Sequence, residues 1–141
     1  MPKLRHIAIA TNDPKKTADF YKEAFGFKEV RHVPEFPEQK GRLAHGYFLS
    51  DGTLNLAILK FTNVDQLGKG LDYVGIHHFG VLVDDVAAYR DRLKELGAEC
   101  FLDKPDGSDS FFEVKFRGPD GVVFDVAEHP WLGSAPESVE G

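Results

Sequence analysis

Residues Leu4 to Ala10 alternate so that Leu4, His6, Ala8 and Ala10 fall on one side of an extended chain and Arg5, Ile7 and Ile9 on the other. This predicts a strand with apolar residues on both faces. Thr11-Asn12-Asp13-Pro14 is a helix start, with Asp13 as the cap and Pro14 at the first helical position. Ala18, Tyr21 and Phe25 then recur at helical spacing up to a stop at Gly26. Strands are predicted over 27–33, 42–49 and 54–61, with a proline-punctuated loop at 34–41 and a tight turn at Ser50-Asp51-Gly52.

The pattern then starts again. Residues 75–83 predict a strand, 85–96 a helix with Val86, Tyr89, Leu93 and Leu96 on one face, and Gly97 its stop. Further strands are expected at 99–102, 111–117 and 122–128, the last two joined by Gly118-Pro119-Asp120-Gly121. The two halves are in register. His6, Asp13 and Gly26 recur as His78, Asp85 and Gly97, at offsets of 72, 72 and 71 residues (78−6, 85−13, 97−26). The expected fold class is α+β: two tandem βαβββ modules, 1–66 and 75–131, joined by a connector at 67–74. A small, polar tail at 132–141 is expected to fray.

Composition narrows the partners. A net charge of −6 argues against a nucleic-acid partner, which needs a basic surface. No apolar run approaches the roughly 20 residues of a bilayer span, so no membrane role is expected. Met1-Pro2-Lys3 leads straight into the predicted strand, so no signal peptide is expected. Cys100 is the only cysteine, expected as a small core residue in a reducing, cytoplasmic setting.

Four strands carry a polar residue followed two positions later by Ala or Gly: His6/Ala8, Asn55/Ala57, His78/Gly80 and Asp125/Ala127. Burying four polar groups on central strands is costly unless they have partners, and a metal is one such partner. Two imidazoles and a carboxylate with open positions suit Fe2+, and also Zn2+, Mn2+ or Ni2+. The expected ligands are therefore His6, His78 and Asp125. Asn55 faces the metal without binding it, orienting the substrate or a water. His77 has the opposite parity to His78 and falls outside the sphere. Glu128 is opposite in parity to Asp125 and would enter only through a shift in register. Tyr47, Phe48, Phe112 and Phe116 are the expected wall of the substrate pocket, although most of the 12 Phe must be core.

These residues resemble the vicinal oxygen chelate superfamily: Leu-x-His-Ile-Ala-Ile and Ile-x-His-Phe-Gly-Val starts, helices ending in Phe-Gly and Leu-Gly, and Gly118-Pro119-Asp120-Gly121-Val122-Val123-Phe124-Asp125 near the end. The family holds glyoxalase I, methylmalonyl-CoA epimerase, extradiol dioxygenases, fosfomycin-resistance enzymes and bleomycin-sequestering proteins. The resemblance covers about residues 4–130. It implies a curved sheet holding a divalent metal in its concave face, and usually a homodimer. The family's ligand positions fall here on His6, Asn55, His78 and Asp125. Asn55 stands where glyoxalases and epimerases have Glu or Gln, and Asp125 where Glu is usual. Lys115 stands where extradiol enzymes have Tyr.

The expected function is a metalloenzyme acting on a small substrate with vicinal oxygens. An isomerase or lyase needs a base near the metal. Asn55 cannot serve, and Asp125 would have to leave the metal, which tilts the expectation toward ring-cleaving dioxygenase chemistry. The alternatives are a lactoylglutathione lyase-like or epimerase-like enzyme, and a metal-free bleomycin-resistance-type binding protein.

Overall fold

The computed structural model describes residues 1–35, 44–62, 72–103 and 113–136. The strands are β1 (Lys3–Ala10), β2 (Lys28–Val33), β3 (Ala44–Ser50), β4 (Asn55–Phe61), β5 (Gly75–Leu82), β6 (Glu99–Leu102), β7 (Val114–Arg117) and β8 (Val123–Ala127). The α-helices among the described residues are α1 (Pro14–Phe25) and α2 (Val86–Glu95). All eight strands form one open, curled mixed sheet in the order β2-β3-β4-β1-β5-β8-β7-β6. This is the expected α+β arrangement of two βαβββ halves, joined through the antiparallel pair β1 and β5.

Both helices begin as the sequence repeat requires. The Asp13 carboxylate accepts the Lys16 N–H at 3.1 Å, and the Asp85 carboxylate accepts that of Ala88 at 3.1 Å. Gly26 closes α1 in the left-handed region, φ 72°, donating its N–H to the Lys22 carbonyl at 2.8 Å. Helix α1 lays Ala18 and Tyr21 on Leu49 and Ile58. Helix α2 lays Val86, Tyr89 and Leu93 on Val83, Val114, Phe116 and Val126. Leu96, expected on that stripe, is the C-cap residue and is exposed. Cys100, expected in the core, is exposed on edge strand β6. No helix among the described residues is long and apolar enough to cross a membrane.

The register organises the helix-free face. His6 pairs with Asn55 on one side and Gly80 on the other; Gly80 pairs with Asp125, and Asp125 with Lys115. Asn55, His6, Gly80, Asp125 and Lys115 thus form one row across β4, β1, β5, β8 and β7. His78 lies in the adjacent row beside Ala8. The β1–β5 ladder shifts register twice, at Arg5 on β1 and at His77 on β5. The two bulged positions are themselves related by the repeat, each just before its histidine.

Residues 132–136, expected to fray, are held. Ser50 Oγ donates to the Gly133 carbonyl at 2.7 Å, Arg5 Nε donates to the Ala135 carbonyl at 3.0 Å, and Ala135 N–H donates to the Thr53 carbonyl at 2.9 Å. Residues 36–43, 63–71, 104–112 and 137–141 lie outside the described residues.

Candidate metal centre

His6, His78 and Asp125 come together as the parity of their strands requires. His6 Nε2 and His78 Nε2 are 3.1 Å apart, and His78 Nε2 is 3.1 Å from Asp125 Oδ2. A fourth group joins them. Glu113, just before β7, places a carboxylate oxygen in the cluster, so that one ligand atom from each of the four residues lies within 4.8 Å of the others.

Asn55 fixes the tautomer of His6. Its Nδ2 donates to the Leu132 carbonyl at 2.8 Å, which turns Oδ1 toward His6 Nδ1 at 2.7 Å. A carbonyl oxygen only accepts, so His6 Nδ1 carries the proton and Nε2 presents a lone pair to the cluster. Asn55 therefore acts behind His6, with both ends of its amide engaged. His77 plays the corresponding part behind His78, their Nδ1 atoms lying 2.6 Å apart. Strict alternation puts His77 on the far face, but the bulge turns its ring back, buried between Phe61 and Tyr73. Glu128 takes no part in the cluster; its carboxylate caps α2 by accepting the Val86 N–H at 2.8 Å.

The electrostatics divide the two carboxyls. Burial alone would raise Asp125, but His78 and Lys115 outweigh it and hold its carboxyl well below the usual carboxylate range. Glu113 is pushed up to about 7 by burial and by the Asp125 charge. His6 is lowered to about 3 by burial, with neighbouring His78 adding to the effect. The cluster thus offers a neutral imidazole lone pair, an ionised aspartate, and a glutamate poised to exchange a proton near neutrality. Two imidazoles and two carboxylates at this spacing are a donor set that fits Zn2+, Ni2+, Mn2+ or Fe2+.

Trp131 closes one side. Its ring stacks on His6 with centroids 4.9 Å apart and planes 2° from parallel, and its Nε1 donates to Glu113 Oε1 at 2.8 Å. The small residues on the histidine face thus leave room for this indole. A Cβ on Gly80 would lie 2.6 Å from the Trp131 ring. Beside it opens a cavity of about 490 Å³ whose lining includes Arg31, Phe48, Asn55, Glu113, Trp131 and Leu132. That volume is in the range of small-molecule sites.

Of the expected pocket wall, Phe48 lines this cavity. Tyr47 and Phe116 do not: adjacent strand residues face opposite ways, so each lies on the helix-covered face. Tyr47 packs near Ala18 and Ile58, and Phe116 is core beneath α2. Phe112 lies outside the described residues. Glu113 and Trp131 were missed by the sequence reading. Counting back from the 118–121 turn pairs Lys115 with Asp125, which puts Glu113, two residues earlier, on the same face. That count was the available signal for Glu113; nothing comparable marked Trp131.

A family model described as "Glyoxalase/Bleomycin resistance protein/Dioxygenase superfamily" matches residues 3–126. A probable chloroplastic lactoylglutathione lyase of Arabidopsis thaliana is 29% identical, covering 83% of this chain but 36% of its own length. The chain therefore spans about a third of that relative. A lactoylglutathione lyase of Neisseria meningitidis is 26% identical, covering 89% of this chain and 99% of its own. The structure of a Streptomyces coelicolor methylmalonyl-CoA epimerase variant, in complex with 2-nitronate-propionyl-CoA, superposes with a TM-score of 0.66 at 25% identity, covering 89% of this chain and 95% of the other.

Proposed function

The chain belongs to the glyoxalase/bleomycin resistance protein/dioxygenase superfamily, and on that premise we propose that it is a divalent-metal-dependent lyase or isomerase. It moves a proton at a carbon next to a carbonyl, in a small substrate with vicinal oxygens. The observation that carries this reading is Glu113, a carboxyl beside the two imidazoles and Asp125 and on the wall of the cavity.

His6, His78 and Asp125 hold the ion, with Asn55 and His77 fixing the imidazoles from behind. A divalent ion there would polarise a substrate carbonyl and stabilise the negative charge that develops on its oxygen. Glu113 takes the proton from the substrate carbon and returns it, its carboxyl held by the Trp131 N–H. Phe48 and Trp131 give the cavity apolar surface and shed water from the reacting face.

Ring-cleaving chemistry is expected of a site without a base; Glu113 supplies one, and the named relatives are lyases and an epimerase, so proton transfer is favoured over ring cleavage. The buried imidazole pair also weighs against a metal-free binding protein. We further propose a cytoplasmic homodimer, for which Leu4, Val74 and Ile76 offer exposed apolar surface.

The test is metal analysis of purified protein, followed by assays in Ni2+ or Zn2+ with the glutathione hemithioacetal of methylglyoxal and with methylmalonyl-CoA, and in Fe2+ and air with catechols. Turnover of either of the first two, abolished by a chelator, is expected. Oxygen-consuming catechol cleavage in place of both would overturn the reading.

A further inference from the structure

Lys115 is a charged residue in a place where charge is costly. Its side chain is 3% exposed, and its ammonium lies 2.9 and 3.0 Å from the two oxygens of Asp125, itself fully buried. It also donates to Glu113 Oε2 at 3.5 Å. The pairing is built into the sheet, since Lys115 and Asp125 are register partners on β7 and β8. Both oxygens of a metal-ligating carboxylate are thus already engaged by a cation of the chain itself.

Two consequences follow. A buried carboxylate without a counter-charge is strongly unfavourable, and the ammonium provides that charge whether or not an ion is bound. A divalent ion ligated by Asp125 would also lie close to a like charge in a buried site, where repulsion is poorly screened. We propose that Lys115 is a resident counter-ion: it keeps the ligand cluster assembled without metal, and it lowers the cluster's affinity for divalent cations so that the ion stays exchangeable. The inference rests on the metal-site reading above and adds a role for a residue that neither ligates nor transfers the proton.

A purely structural role predicts the opposite sign. If Lys115 only aligned Asp125, removing it would weaken metal binding. The experiment compares chelator-stripped wild type with Lys115→Met, which keeps the length of the side chain without its charge, and Lys115→Gln, which keeps a donor to Asp125. Zn2+ and Ni2+ affinities are read by isothermal titration, and melting temperatures with and without Zn2+. Lys115→Met should melt lower than wild type when stripped, gain more from Zn2+ than wild type does, and bind Zn2+ at least ~10-fold more tightly. A variant that folds only with Zn2+ present supports the counter-charge in the stripped cluster, and Lys115→Gln then carries the affinity comparison, as it does should Lys115→Met not fold at all. Equal or weaker Zn2+ and Ni2+ binding by the variant, with wild type still binding, overturns the counter-ion role and leaves the metal site standing. Binding by neither chain overturns both.

Discussion

Asn55 Oδ1 accepts the Nδ1 proton of His6 at 2.7 Å, so this one amide sets which nitrogen of His6 faces the site. His77 stands in the same relation to His78 through a 2.6 Å contact between their Nδ1 atoms. Partners of this kind usually contribute 10–100-fold in metal affinity. Asn55→Ala and His77→Ala should each weaken Zn2+ binding by about that factor, while His6→Ala and His78→Ala reduce it by much more. Titration of the four variants checks this ordering. Loss from Asn55→Ala as complete as from His6→Ala would make Asn55 a ligand itself.

Gly80 is held small by two neighbours. A Cβ there would approach the Trp131 ring at 2.6 and 2.7 Å and His6 Cβ at 2.8 Å. Gly80→Ala should cost about 1–3 kcal/mol by overpacking and should shift the fluorescence of the single tryptophan. Denaturant melts followed by tryptophan emission measure both, and an unchanged midpoint would contradict the stacked arrangement.

Acid stability should depend on two opposed groups. His6 falls from 6.5 to about 3 in the fold, so between those values the unfolded chain binds a proton the native chain does not, and stability drops as pH falls. Glu113 rises from 4.5 to about 7, so through that window the native chain binds the extra proton and stability grows as pH falls. The two cancel between about pH 4.5 and 6.5, and the acid limb of stripped wild type should begin near 4.5. Glu113→Gln removes the opposing group, and its stability should start to fall near pH 6.5. Urea melts across this range test it; coincident acid limbs would refute it.

Much of this site was legible because the repeat and the two-residue period of strands both constrain it. His6, His78 and Asp125 were placed together by those rules alone. Where strict parity failed, a bulge was responsible: His77 is the extra residue of its ladder, and its ring turns to meet His78. Tyr47 and Phe116 were misplaced for a simpler reason, since aromaticity was read without regard to the face each residue occupies. The ordering of 132–136 was hidden because small polar residues look like a frayed end, and their backbone bonds to Thr53, Ser50, Asn55 and Arg5 leave no composition signal.

The most direct test of the central claim separates holding the ion from moving the proton. Glu113→Gln and wild type should be loaded with Zn2+ or Ni2+, checked for metal content, and assayed side by side on the hemithioacetal and thioester substrates, with deuterium uptake from D2O at the substrate carbon as the readout. Metal content should remain at one ion per chain in both, while turnover and deuterium uptake fall about 10²–10⁴-fold in Glu113→Gln. A Glu113→Gln protein that exchanges deuterium at the wild-type rate would contradict the account.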